Sequence, residues 1–80
     1  MDRYYSVEAL SIDSAGDQVR EDLGGFQTLA QAKRHMREHT DTDVFHVTLH
    51  VRRGINDDGG SLYRSTRSTW ERDHGRLVRL

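Results

Sequence analysis

The chain has 80 residues and contains no cysteine and no long hydrophobic run. Without cysteine there is no disulfide, no thiolate metal site and no cysteine nucleophile. No apolar run approaches the roughly 18 residues of a membrane span, and the first residues lack the apolar stretch of a signal peptide. We therefore expect a soluble protein located in the cytoplasm. Its core should be thin, because so small a domain buries only roughly 60% of the surface that its unfolded chain exposes.

Motifs that would indicate catalysis or metal binding are also scarce. There is no G-x-S-x-G nucleophile elbow and no phosphate-binding glycine loop before a helix, and the acidic run Asn56–Gly59 lacks the ligand spacing of a calcium loop. His35 and His39 have the i, i+4 spacing that can hold zinc, but histidines on a solvated or interfacial face are far more common. We predict a protein that is not an enzyme and that uses no metal or cofactor.

Two segments carry strong secondary-structure signals. From Val44 to Arg53, apolar and polar residues alternate over ten positions, which predicts a strand with one face in the core. Ahead of it, Thr28 followed by Gln31 forms a capping box, and an apolar stripe with period 3.6 continues from there. We predict a helix over residues 28–39, entered through a Gly24-Gly25 loop.

The remaining segments indicate more strands. Residues 3–12 alternate, but the phase changes near Ala9-Leu10, which predicts either a bulge there or a strand covered on both faces. Residues 19–23 suit a short strand better than a helical turn, although both interpretations stay open. After a glycine-rich turn at residues 54–60, the segments 61–72 and 76–80 complete an antiparallel meander.

These elements predict a single α+β domain spanning residues 1–80. It should have a small antiparallel sheet of four to five strands, with the helix packed on one face. One helix cannot cover both faces of a sheet, so the other face is solvated or meets another protein. The residues expected between helix and sheet are Tyr5, Val7, Leu29, Met36, Phe45, Val47, Leu49, Val51 and Trp70.

The charges favour a binding role at the open face. The net charge is −1, but residues 52–80 hold seven arginines against four carboxylates. If residues 61–72 pair with the preceding strand, arginine, histidine, threonine and tyrosine side chains form a stripe across the sheet. Such a stripe suits phosphates or an acidic protein surface, although a solvated face with scattered charges is an open alternative. The candidate partner-binding residues are Arg52, Arg53, Arg64 and Arg67, together with Lys33, Arg34 and Arg37 of the helix.

The whole-chain plan resembles a known class of small phage proteins. It has an aromatic first strand (Tyr4-Tyr5-Ser6-Val7), a Gly-Gly-Phe approach to a capped helix, and an Arg/Thr-rich meander. In size and plan it is similar to anti-CRISPR proteins directed at type I Cascade complexes. The resemblance implies a non-enzymatic inhibitor that works in the bacterial host cell, binds Cascade and blocks target DNA. The alternative is a small nucleic-acid-binding module that uses the same arginines, and a homodimer is a further open arrangement because sheet edges are exposed.

Overall fold

The computed structural model describes residues 2–80 and consists mainly of β-strands. Its elements in chain order are β1 (Arg3–Ile12), β2 (Gln18–Phe26), α1 (Leu29–Glu38), β3 (Val44–Ile55), β4 (Ser61–Asp73) and β5 (Arg76–Arg79). The five strands form one sheet in the order β2-β1-β3-β4-β5, and every neighbouring pair is antiparallel. The predicted α+β fold with a single helix is confirmed.

The helix begins where the capping box predicts. The Thr28 side-chain oxygen accepts a hydrogen bond from the Gln31 N–H at 3.1 Å, and the Gln31 side chain accepts one from the Thr28 N–H at 3.2 Å. These bonds satisfy backbone groups that a helix start leaves unpaired. The helical residues run from Leu29 to Glu38, because Thr28 and His39 are the two caps. The predicted range 28–39 therefore included one cap at each end.

The core lies between α1 and the middle of the sheet. Its fully buried side chains include Val7, Met36 and Phe45, and Tyr5 and Leu29 pack against it half-buried. The prediction was wrong for Val51, which is 38% exposed. Val51 pairs with Arg64, two residues further along the strands than the pair of Leu49 and Thr66. Leu49 and Thr66 line a small cavity together with Leu29, the first residue of the helix.

The structure resolves the ambiguity around the first two strands. Residues 19–23 belong to β2, and so do Gly24 and Gly25, so the prediction of a glycine loop was wrong. The predicted bulge at Ala9-Leu10 is absent from β1, whose register with β3 is continuous. The irregularity instead lies in β2, where Leu23 is the extra residue between the partners of Val7 and Glu8. A positive φ of 100° at Gly24 accommodates it, a conformation that glycine adopts without strain.

The change in the apolar alternation along β1 has a different cause. Leu10 is buried, but it does not belong to the main core cluster. Its backbone partner in the sheet is Val44 of β3. The Thr42 hydroxyl donates a hydrogen bond to the Leu10 carbonyl, which ties the loop before β3 to this strand. Buried residues therefore lie on both faces of β1 at this end, which is the second of the two predicted explanations.

One side chain from the sheet holds the C-terminal end of the helix. The Arg72 guanidinium donates to the carbonyls of Met36 at 2.5 Å, His39 at 2.7 Å and Thr42 at 2.7 Å. It also lies over the Phe45 ring, 5.6 Å from the centroid. The last carbonyls of a helix have no hydrogen-bond partner within the helix. The C-cap of α1 is His39 in an extended conformation rather than a left-handed glycine, so Arg72 supplies hydrogen bonds at this end of the helix.

The two longest strands extend past the rest of the sheet. The pairing of β1 with β3 ends at Arg3 and Val51, and β5 pairs only with residues 70–73 of β4. Beyond these points no third strand of residues 2–80 flanks β3 and β4, and only the Arg52 N–H still donates to the Asp2 carbonyl on the β1 side. We call residues 51–64 the ribbon. The sheet therefore has a packed end under the helix and a projecting two-stranded end, and the molecule measures 45 × 29 × 19 Å.

Candidate binding surface

The open face of the sheet brings together the stripe that the sequence predicts. The register pairs His46 with Thr69, His50 with Ser65 and Arg52 with Tyr63. Side chains of directly paired residues lie on the same face, and alternate residues along a strand share a face. Arg67 and Thr48 form the remaining pair of this row. The stripe therefore lies on the face opposite the helix.

An aromatic cluster occupies the part of this face nearest the ribbon. The Tyr4 ring stacks on His50 with centroids 4.5 Å apart, and Tyr63 meets Tyr4 edge-on at 5.4 Å. Ser6 Oγ lies 2.9 Å from His50 Nε2, and Ser65 Oγ lies 2.7 Å from His50 Nδ1. Both ring nitrogens of His50 are therefore occupied, and the cluster is held in one arrangement across three strands. Tyr63 is 38% exposed, so a partner can reach its ring.

His46 lies on this face, and its environment shifts its pKa. Burial of the ring lowers the pKa of His46 below its usual value, the Arg67 and Arg20 guanidiniums lower it further, and Glu8 opposes them. Its Nδ1 atom is buried without a hydrogen-bond partner among residues 2–80. The neutral imidazole is therefore the favoured form in the folded protein.

The ribbon exposes apolar and basic side chains together. Ile55 is 59% exposed and Leu62 is 48% exposed, and both lie beside the connecting turn. The turn itself is ordered, because Asn56 Oδ1 accepts hydrogen bonds from the backbone N–H groups of Asp58 and Gly60 at 3.1 and 2.8 Å. Of the eight large apolar side chains that are exposed among the described residues, four lie on the ribbon. The register places Val51 and Leu62 on one face of the ribbon and Ile55 and Tyr63 on the other, so the ribbon exposes apolar side chains on both faces.

The four predicted arginines of β3 and β4 lie close to or on the ribbon but do not share one face. Arg52 and Arg67 are on the open face. Arg64 pairs with Val51 and therefore faces the helix side of the sheet, past the end of the helix. Arg53 is the extra residue of a β-bulge and has no paired residue on β4. The ribbon consequently presents guanidinium groups in several directions, as a projecting structure can.

The three predicted basic residues of the helix are placed elsewhere. α1 packs on the face opposite the stripe, so Lys33, Arg34 and Arg37 do not join it. The Lys33 ammonium lies 5.5 Å from the Trp70 ring centroid, and Arg34 Nε lies 3.6 Å from Glu38 Oε1 on an exposed helix surface. A single flat interface cannot include all seven predicted residues.

The histidine pair of the helix is engaged with neighbouring side chains. The His35 ring lies 5.2 Å from the Phe26 ring, and His39 Nε2 lies 3.5 Å from Glu21 Oε2. Within residues 2–80 there is no group of three or more histidine, aspartate or glutamate side chains arranged to hold a metal ion. The helix in this range also falls short of the length and hydrophobicity that crossing a membrane requires.

Sequence reasoning missed four residues of these surfaces. Tyr4 and Ser6 complete the aromatic cluster, and the parity of β1 was the available signal. Ile55 and Leu62 were assigned to a turn and to a weakly apolar strand. Two large apolar residues that flank a turn far from the helix were the signal for an exposed ribbon.

Comparisons of the chain with protein-family models, with curated proteins and with solved structures found no match in any of the three.

Proposed function

We propose that this protein is a non-enzymatic protein-binding module that docks its ribbon onto a larger partner. The observation that carries the proposal is the coincidence of exposed aliphatic side chains, arginines and a tyrosine on one projecting hairpin. Tyrosine and arginine are the residues most enriched at the energetic centres of protein interfaces. Aliphatic side chains gain little free energy by contacting the phosphate backbone of a nucleic acid. The exposed Ile55 and Leu62 therefore favour a protein as the partner.

The mechanism is occlusion. A hairpin that projects past the folded body can enter a cleft or cover a groove while the helix and core stay outside it. The resemblance to anti-CRISPR proteins makes a type I Cascade complex the first partner to test, with its DNA-docking surface as the part that is covered. Inhibition then requires only that this protein bind the surface more tightly than DNA does.

The test is a binding titration with purified, guide-loaded Cascade and four forms of the protein. Ile55→Ser and Leu62→Ser remove one exposed apolar group each, and we expect each to weaken binding by about tenfold or more. Val78→Ser is the matched control, since Val78 is 43% exposed on β5, away from the ribbon. Wild-type affinity for both ribbon variants would contradict the ribbon as the docking site. If wild-type protein does not bind Cascade, Cascade is the wrong partner. The same four forms are then used as baits, to identify a protein that binds the wild type and Val78→Ser but neither of the two ribbon variants.

A small nucleic-acid-binding module is the second candidate, and a specific observation favours it. Tyr63 offers an exposed ring for base stacking on the same face as Arg52 and Arg67, which can contact phosphates. Binding of random single-stranded DNA or RNA that weakens log-linearly as salt rises would support this candidate. Under the leading proposal, micromolar protein gives no electrophoretic shift with either oligonucleotide.

A further inference from the structure

The outer edge of β4 lacks a neighbouring strand over eight residues. β5 pairs with Trp70–Asp73, and the N–H of Leu80 donates to the Thr69 carbonyl at 2.9 Å. Nothing in the described part of the chain pairs with the outer side of residues 61–68. An uncovered edge of this length is a template for an added strand.

The Leu80 hydrogen bond fixes which residues of β4 point outward. It shows that the backbone groups of Thr69 point away from β3. In an antiparallel strand the N–H and C=O of one residue point the same way, and the direction alternates along the chain. Tyr63, Ser65 and Arg67 therefore present free N–H and C=O groups at this edge. On the other side of β3, the Arg52 N–H donates to the Asp2 carbonyl at 2.7 Å, toward β1, which agrees with this alternation.

The charged residues near this edge determine which kind of strand can pair with it. From Ser61 to Trp70 there is no carboxylate, and β3 also has none along its whole length. Arg64 and Arg67 lie on the edge strand itself, one on each face of the sheet. Opposite charges on directly adjacent strands stabilise their pairing and like charges oppose it, so an incoming strand with aspartate or glutamate side chains fits.

A second copy of the chain is a poorer occupant. Its own acidic edge strand is β2, but the two carboxylates there already have partners. Glu21 Oε2 lies 3.5 Å from His39 Nε2, and Asp22 Oδ1 accepts the Gly24 N–H at 2.8 Å. Pairing β4 with another β4 would add two more arginines and no carboxylate to residues 61–68 of the edge.

We propose that the partner contributes an extended acidic segment that pairs with β4 at residues 61–68 as a sixth strand of the sheet. This inference rests on the proposed function and names the chemistry of the partner segment. The ribbon and the edge share residues 61–64, but docking of the ribbon uses side chains and pairing at the edge uses backbone groups, so each can fail without the other.

The experiment uses an amide-capped octapeptide of alternating glutamate and threonine, with a lysine–threonine peptide as its counterpart. Each is titrated into ¹⁵N-labelled full-length protein to about 1 mM, a concentration that detects dissociation constants of about 1 mM. We expect the acidic peptide alone to shift the amide signals of Tyr63, Ser65 and Arg67 saturably and to slow their hydrogen exchange. Equal effects from both peptides, or no change at these three amides, would overturn the inference. Slowed exchange that depends on protein concentration without peptide would show that a second copy is the occupant.

A pair of substitutions isolates the backbone contribution. Ser65→Pro and Ser65→Ala both remove the hydroxyl that lies 2.7 Å from His50 Nδ1. Ser65→Pro also removes one outward N–H but breaks no backbone hydrogen bond to β3, whereas Ser65→Ala keeps that N–H. We expect Ser65→Pro to weaken peptide binding by about tenfold and Ser65→Ala by less than about twofold. Equal affinities for the two variants would contradict strand addition, and hydrogen exchange of the wild-type protein decides the matter if Ser65→Pro does not fold. A partner that binds Ser65→Pro normally but not Ile55→Ser would reject the edge and leave the proposed function standing.

Discussion

Replacing Arg72 should destabilise this fold more than replacing any exposed arginine. The Arg72 side chain is only 16% exposed, and its guanidinium donates to the carbonyls of Met36 in the last turn of the helix, His39 at its cap and Thr42 in the loop that follows. Hydrogen bonds to charged groups contribute about 1.5–3 kcal/mol each. Water can reach part of the freed helix end, so we expect Arg72→Ala to lower the free energy of unfolding by about 2–4 kcal/mol in total. A domain of this size has a total stability of about 4–12 kcal/mol, so the loss is a large fraction of it.

The assay is urea unfolding followed by the fluorescence of Trp70, the single tryptophan, which is buried beside the helix. Arg72→Met keeps an unbranched side chain over Phe45 but has no donor, so it separates packing from hydrogen bonding. We expect it to lose nearly as much stability as Arg72→Ala. Arg53→Ala removes an exposed arginine and should change stability by less than about 0.5 kcal/mol. A loss below about 1 kcal/mol for Arg72→Ala, or wild-type stability for Arg72→Met, would refute the proposed role.

Two further predictions concern the capping box and the open face. Thr28→Ala should cost about 1 kcal/mol in the same urea assay, while Thr28→Ser should retain most of the stability because serine keeps the capping oxygen; equal losses would contradict the cap. For His46, the folded pKa lies below the unfolded value of about 6.5, so the unfolded chain binds more protons between the two values. Its contribution to stability is therefore fully present above about pH 6.5 and is lost as the pH falls through that window. His46→Gln should flatten the pH dependence of the unfolding free energy there, and an unchanged slope would exclude His46 as its source.

The features that were predicted correctly depend on short-range patterns. Alternation over residues 44–53 locates a strand because side chains of a strand point to opposite faces in turn. The capping box locates the helix start because its hydrogen bonds join residues three apart. The same alternation correctly placed the polar stripe of β3 and β4 on one face.

The features that were missed depend on which distant segments become neighbours. Gly24 and Gly25 suggested a loop, but pairing with β1 holds them in a strand. The exposure of Val51 follows from where the helix and β1 end, which alternation within β3 does not encode. Seven basic residues were predicted to bind one partner, but three of them belong to the helix, which packs on the face opposite the stripe.

Arg72 shows a signal that was present and not used. It shares the parity of Trp70, so its side chain was bound to lie on the covered face of the sheet. A charged residue in phase with a core tryptophan must find partners there, because an unpaired buried charge is unfavourable. Those partners lie within residues 36–42, far from Arg72 along the chain, so the sequence pattern did not identify them.

The separation of a packed end from a projecting ribbon has an evolutionary consequence. Substitutions at Ile55 or Leu62 remove almost nothing from the buried cluster, so these two positions can change with little penalty to folding. Under the proposed function, a change in the surface of the partner can be followed by rapid change in this hairpin, whereas Val7, Met36 and Phe45 must stay nearly constant. Related chains, when aligned, should show their variation concentrated at the hairpin tip.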